Sequence, residues 1–266
     1  MKQKSYSPAK TVQKAFRLLE VIAEVQPVKP SELAKKANLA RSNLYRLLTT
    51  LEEMGFVEKT FDGRYTLSFK VFILGSAALE INKLPTTASS YLAHLAEVSQ
   101  ENVNLAMLYE NKVLYIDKIE SKHYLKLDQP VGKTDPLYCT ALGKVLLAGL
   151  TDLELETFLK STNFVPYTKN TITAPDVLAG VIRNVRKQGY AIDFEELSIG
   201  IHCIGAPIYN HLNKVIAAIS ISGPSVRLTK QKIEELKIPL LKISLEISKK
   251  FGFTNFSSLN PLSKID

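Results

Sequence analysis

Four leucines constrain this chain more than any other feature. Leu44, Leu47, Leu48 and Leu51 stand at i, i+3, i+4 and i+7, a spacing that gathers apolar side chains on one face of a helix. Residues 41–53 are therefore predicted to form a helix anchored from behind. At about 100° per residue, its opposite side presents Ser42, Arg46, Thr49 and Glu53, with Asn43 and Tyr45 on the flanks. A shorter helix over 31–37 precedes it, with Ser31 as its cap and Leu33 and Ala34 inward. Asn38 tolerates the left-handed backbone of a tight turn between the two. Gly55 stops the longer helix. The segments FVEKT and RYTLS then flank Asp62-Gly63, a hairpin turn signal.

Helix, turn, helix and hairpin in that order predict a winged helix-turn-helix, with the two-helix motif over about residues 31–53. Its partner is double-stranded DNA, entered through the major groove. Arg46 suits guanine edges and Asn43 adenine, while Ser42, Tyr45 and Thr49 suit phosphates. Arg41 at the helix start, Arg64 on the hairpin, and Lys35 or Lys36 on the shorter helix are further phosphate candidates. The net charge of +8 supports this placement. Residues 1–84 hold 14 basic and 8 acidic residues, an excess of six, against two for the remainder. A basic head joined to a nearly neutral body is the charge pattern of a nucleic-acid-binding module on a separate domain.

Val12, Phe16, Leu19 and Ala23 recur at helical spacing and predict a first helix over 11–25, ended by Pro27 and Pro30. Residues 68–83 read as a further helix, with Val71, Phe72, Leu74, Ala78 and Ile81 available for packing and Pro85 breaking the run. So apolar a linker points to a partner helix, and a second chain is one source of it. The expected domains are a DNA-binding head over 1–67, a linker helix over 68–84 and a larger domain over 85–266. In that domain helices are expected at 86–100, 141–149, 152–160, 175–188 and 229–250. Strands are expected at 103–109, 112–119, 124–127, 202–209 and 214–222. The last helix should turn Ile233, Leu236, Leu240, Leu241, Ile243, Leu245 and Ile247 mostly inward. Hairpin-linked strands with helices at both ends predict an α+β domain around an antiparallel sheet.

No apolar run approaches the roughly 18–20 residues of a membrane span. The start, MKQKSYSPAK, has no apolar stretch of a signal peptide, so the cytoplasm is the expected compartment and no membrane partner is expected. Two cysteines, Cys139 and Cys203, exclude a disulfide scaffold. Catalysis is the main rival reading, and the residues oppose it. GIHCIG at 200–205 is one residue longer than a nucleophile elbow, and His202 beside Cys203 points to the other face of a strand. Ala206-Pro207 stand where a phosphate loop needs Lys and Ser or Thr. His94, His123, His202 and His211 lack metal-ligand spacing, so neither metal nor cofactor is expected. A second rival is a redox sensor using Cys139 or Cys203. It would need an electropositive, accessible thiol, and Cys139 lies between apolar neighbours despite Lys144 nearby.

The chain resembles the IclR family of bacterial transcription regulators from about Thr11 to Gly252. The resemblance is carried by VQKAFRLLEVI, SELAKKANLARSNLYRLLTTLEEMGFVE, GRYTLS and ILGSAAL in the head. In the body it is carried by ENVNLAML, VLYIDKIES, PLYCTALGKVLLA, NTIT, VRKQGYAIDFEE, IGIHCIGAPIYN and AAISISGP. Asn38, Ala40 and Asn43 depart from the residues usual in the family, and Asn43 does so on the reading face. The branch that represses sugar-acid catabolism in response to ketodeoxygluconate is the nearest within the family. The resemblance implies a winged-helix domain, a linker helix and an effector domain with a GAF-like antiparallel sheet. It also implies homodimers pairing through head and linker, or dimers of dimers, and a small carboxylate or sugar-acid effector.

Three segments match the family's ligand contacts. In the first, Thr140 caps a helix and leaves the amides of Ala141 and Leu142 free, a ready anion site. The second pairs Asp193 with Cys203. The third holds Ser220 and Ser222, whose i, i+2 spacing sets both hydroxyls on one face of a strand. A ligand carboxylate would meet the amides and serines, a ligand hydroxyl would meet Asp193, and Cys203, Leu127 and Ile201 would form the wall. Without the resemblance, the serines satisfy local backbone groups equally well and Cys203 is a small buried hydrophobe.

Overall fold

The computed structural model describes residues 8–254, and for residues 76–82 the backbone alone. The chain divides into one compact unit ending at Asn82 and a second starting at Lys83. The first unit contains α1 (Lys10–Val25), α2 (Pro30–Lys36), α3 (Arg41–Glu53), β1 (Val57–Lys59), β2 (Tyr65–Leu67) and α4 (Phe69–Asn82). The four leucines of α3 are buried and share one core with Leu18, Val21, Ile22, Val28, Leu33, Val57 and Tyr65. Burying each leucine contributes about 1.5–3 kcal/mol, so this stripe fixes how α3 rolls. Asn38 takes the left-handed conformation at φ 50, as does Gly55 just past α3 at φ 75. The strands β1 and β2 pair antiparallel with Lys59 opposite Tyr65, and Gly63 turns the hairpin at φ 79.

Some local expectations fail here for clear reasons. Ser31 does not cap α2: the helix starts one residue earlier at Pro30, after Lys29, because proline's fixed φ suits a first helical position. Helix α1 forms as predicted, but its core face is Leu18, Val21 and Ile22. Val12 and Phe16 are 53% and 60% exposed, so α1 carries a second apolar stripe facing solvent. Pro85 is not what ends α4. The break is Lys83, left-handed at φ 47, and Pro85 sits in the first turn of α5 (Leu84–Ser99), where its missing N–H costs nothing. On α4, Val71 is half-buried while Phe72 and Leu74 are exposed. Ala78 and Ile81 lie outside the described side chains.

The second unit continues with β3 (Asn102–Tyr109), β4 (Lys112–Ile119), β5 (Thr134–Pro136), α6 (Ala141–Ala148), α7 (Asp152–Ser161) and α8 (Pro175–Gln188). It ends with β6 (Ala191–Phe194), β7 (Ile201–Tyr209), β8 (Val215–Pro224) and α9 (Lys230–Lys250). Six strands form one sheet in the order β5-β4-β3-β8-β7-β6, and every neighbouring pair is antiparallel. Helices α5 and α9 pack together and against the sheet. A separate core joins α6, α7 and α8 to Ala106, Tyr115, Ala191 and Ala218. Strand alternation therefore points Asn102, Asn104, Ser220 and Ser222 to the α6 side, with Val103, Leu105, Ile219 and Ile221 on the other. On α9, Ile233, Leu236, Leu240, Leu241, Ile243 and Ile247 are buried, while Leu245 is half-buried. The expected strand at 124–127 is absent. That stretch is irregular, and the Leu127 carbonyl accepts from the Asn102 side chain at 2.7 Å instead of from a strand. The short strands β5 and β6 have no counterpart among the sequence expectations.

Candidate functional site

In the first unit the outward face of α3 is polar. With Leu44, Leu47, Leu48 and Leu51 inward, Arg41, Ser42, Tyr45, Arg46 and Thr49 are exposed and Asn43 is half-buried. The guanidinium of Arg46 donates to Asn43 Oδ1 at 3.1 Å, so the two residues best suited to base edges hold each other in place. Lys35 and Lys36 are exposed at the end of α2. Arg64 is half-buried at the hairpin and ion-paired to Asp62 at 2.9 Å. The Thr60 hydroxyl, and after it Arg64, hold the Asp62 carboxyl below its ordinary range.

In the second unit, cross-strand register builds a polar wall. Asp193 lies opposite Cys203, Cys203 opposite Ser222, and Ser222 opposite Asn102. The next row runs Ala191, Gly205, Ser220, Asn104. A Cβ at Gly205 would come within 3.2 Å of the Ala141 backbone, so glycine there lets α6 close down on the sheet. Gly143 is required for a similar reason, since a Cβ would lie 2.1 Å from the Leu137 carbonyl. Thr140 accepts from the Gly143 amide at 3.0 Å and donates to the Pro136 carbonyl at 3.1 Å. This cap leaves the amides of Ala141 and Leu142 at the positive end of the helix, without intrahelical acceptors.

Between this helix start and the wall lies a partly open cavity. Leu127, Ala141, Leu142, Asp193, Ile201, Cys203, Ser220 and Ser222 all line it. Asn104, Tyr115, Gln129, Lys133, Leu197 and Ser198, absent from the expected site, line it too. Asn104 Nδ2 donates to Ser222 Oγ at 2.9 Å and to Ser220 Oγ at 3.4 Å. Because both hydroxyl oxygens accept, their own protons remain available to an anion. The signal for Asn104 was an asparagine inside the otherwise apolar run VNLAML. Gln129 donates to Tyr115 and to Asp135, and Tyr115 donates to Asp135 at 3.0 Å.

Behind α6, Lys144 is fully buried and donates to Glu196 and to the Ile192 carbonyl. Asp193 accepts from the Glu196 amide at 2.7 Å. Burial pushes its carboxyl up to about 7, with the Lys144 charge opposing. Burial, then nearby carboxylates, pushes the Cys139 thiol up to about 12, and Cys203 is raised well above its ordinary value for the same reason. Neither thiol has the thiolate character that a redox sensor needs. His202 is turned away, with Nδ1 2.8 Å from the Leu228 carbonyl and its ring edge-on to Phe194.

Comparison with known proteins agrees with both halves of this arrangement. The IclR helix-turn-helix domain model matches residues 11–60, and the model of the bacterial transcriptional regulator IclR C-terminal region matches residues 76–249. The HTH-type transcriptional regulator KdgR of Escherichia coli (strain K12) is 32% identical over 247 residues, covering 92% of this chain and 94% of that protein. Transcriptional repressor IclR of Escherichia coli (strain K12) is 32% identical over 243 residues, covering 90% and 89%. The crystal structure of the Thermotoga maritima IclR superposes with a TM-score of 0.77 at 37% identity, covering 92% of this chain and 100% of that one.

Proposed function

The chain belongs to the IclR family of transcriptional regulators, and from that premise we propose that it is a ligand-responsive repressor of genes for sugar-acid or other small-carboxylate catabolism. The family is one of DNA-binding regulators with an effector domain, not of enzymes. The observation that carries the finer reading is the cavity wall, where paired serine hydroxyls, two helix-start amides and a buried carboxyl converge. That donor set suits a small acid bearing a hydroxyl or keto group. In this reading the ligand carboxylate meets the amides of Ala141 and Leu142 and the hydroxyls of Ser220 and Ser222. Asp193 pairs with a ligand hydroxyl, and Leu127, Ile201 and Cys203 supply apolar contact.

On the DNA side, Arg46 and Asn43 read base edges. Ser42, Tyr45, Thr49, Arg41, Lys35, Lys36 and Arg64 hold phosphates. The functional state is a homodimer, or a dimer of such dimers, in the cytoplasm, presenting two reading helices to the half-sites of a near-palindrome. The exposed stripe of Val12 and Phe16 on α1 and the exposed Phe69, Phe72 and Leu74 on α4 supply apolar surface for that pairing. Ligand binding changes operator affinity through α4, the segment joining the units in sequence. A coupling of about 1–3 kcal/mol would shift occupancy roughly 5–150-fold.

The test is fluorescence anisotropy of the full-length protein on DNA from upstream of its own gene, with and without a panel of small hydroxy and keto acids. Release of DNA by one or more acids is the expected result. Acids that bind without moving operator affinity would refute the gating.

A further inference from the structure

The cavity is lined by polar donors and by Asp193, and a carboxylate leaving water is held more firmly when a countercharge is added to those hydrogen bonds. Lys144 cannot supply it, being engaged by Glu196 and the Ile192 carbonyl on the buried side of α6. Among the described residues lining the cavity, Lys133 is the one cation. Its ammonium donates to Gln129 Oε1 at 2.9 Å and lies 3.6 Å from Asp135 Oδ1. An ammonium has three donors, so one is left to spend. Lys133 is not the sole partner of Asp135, because Tyr115 and Gln129 both donate to its other oxygen. Lys133 can therefore turn its remaining donor toward a ligand while Asp135 keeps the hydrogen bonds from Tyr115 and Gln129.

The backbone at Lys133 is held ready for such a role. The Tyr115 amide donates to the Lys133 carbonyl at 3.1 Å, and the Gly132 amide donates to the Tyr115 carbonyl at 2.8 Å. Earlier in the same strap, Asn102 ties the Leu127 carbonyl at 2.7 Å and the Ser121 amide at 2.7 Å. An otherwise irregular segment is thus pinned where it meets the cavity.

We propose that Lys133 is the charged partner of the effector's acid group, and that it selects acids over neutral molecules of the same shape. This rests on the reading of the cavity as the effector site. The ammonium adds one charge-assisted hydrogen bond to the neutral donors of α6 and β8. The strap thereby becomes a specificity element.

The experiment is calorimetry on the full-length protein with pyruvate, lactate, glycolate, gluconate and 2-keto-3-deoxygluconate, and with the primary amide of the tightest-binding acid. Wild type should bind the acid at least about tenfold more tightly than its amide. Lys133→Gln should lose about tenfold on the acid and keep the amide within about twofold, and Lys133→Arg should restore most of the preference; tenfold corresponds to one charge-assisted contact. Asp193→Ala separates the outcomes. If it weakens binding while Lys133→Gln does not, the role of Lys133 is overturned and the cavity reading stands. If Lys133→Gln weakens acid and amide equally, its role is structural and the proposal fails. If no acid binds, or both variants bind as wild type, the cavity reading fails and takes the proposal with it.

Discussion

Asn104 and Ser222 meet diagonally on neighbouring strands, the asparagine Nδ2 donating to the serine Oγ at 2.9 Å. The consequence is directional. A serine whose oxygen is already accepting turns its proton elsewhere, and here the cavity lies in front of it. Asn104→Leu keeps the volume and removes that control. Effector affinity should fall about tenfold, while stability changes by only about 1–2 kcal/mol because the hydroxyls can find backbone acceptors. Calorimetry and thermal melting separate the two, and unchanged affinity would mean that the serines orient themselves.

Arg46 is exposed on a helix whose opposite face is pinned, so its loss should leave the fold untouched. Arg46→Ala is expected to shift melting by no more than about 0.5 kcal/mol. Specific operator binding should drop to the nonspecific level, since each Arg–guanine pair is worth about 1–3 kcal/mol and the proposed homodimer would forfeit two. Asn43→Ala should cost less and relax the preference of Arg46, its partner at 3.1 Å. Gel shifts on operator and scrambled DNA read both effects.

Lys144 and Glu196 form an ion pair whose lysine is 1% exposed and whose glutamate is 8% exposed. Removing one charge strands the other. Lys144→Met should therefore cost about 3–5 kcal/mol in urea unfolding, whereas Lys144→Met with Glu196→Leu should recover most of the loss. A double variant no better than the single would mean that the lysine's bond to the Ile192 carbonyl, not the charge pair, dominates.

The head was largely legible in the sequence because helical period, a left-handed Asn38 and an Asp62-Gly63 turn each have one local cause. The face of α1 was not. FRLLEVI is apolar on two sides, and only packing decides that Leu18, Val21 and Ile22 go in while Phe16 stays out. In the second unit, β4 and α8 follow from pattern, but β5 and β6 are three and four residues long, too short to show a period. The cavity divides the same way. Ser220 and Ser222 share a face by alternation. Tyr115 comes from β4, but Gln129 and Lys133 are brought to it by a strap whose path depends on side-chain ties from Asn102, which no local pattern encodes.

Asp193 should make stability depend on pH in an unusual direction. Burial raises its carboxyl from 3.8 to about 7, against the pull of Lys144 and with Glu195 and Glu196 adding to the rise. The folded state thus binds the proton more tightly than the unfolded one. Stability is unpenalised below about pH 4, falls as pH rises through the interval up to about 7, and levels off above it. Asp193→Asn has no charge to bury and escapes the penalty. Its advantage over wild type should grow by about 2–3 kcal/mol between pH 5 and pH 8, visible as a widening gap in melting temperature. A gap that stays constant over that range would mean that Asp193 is ionised throughout, held so by Lys144, and meets the ligand only as an acceptor.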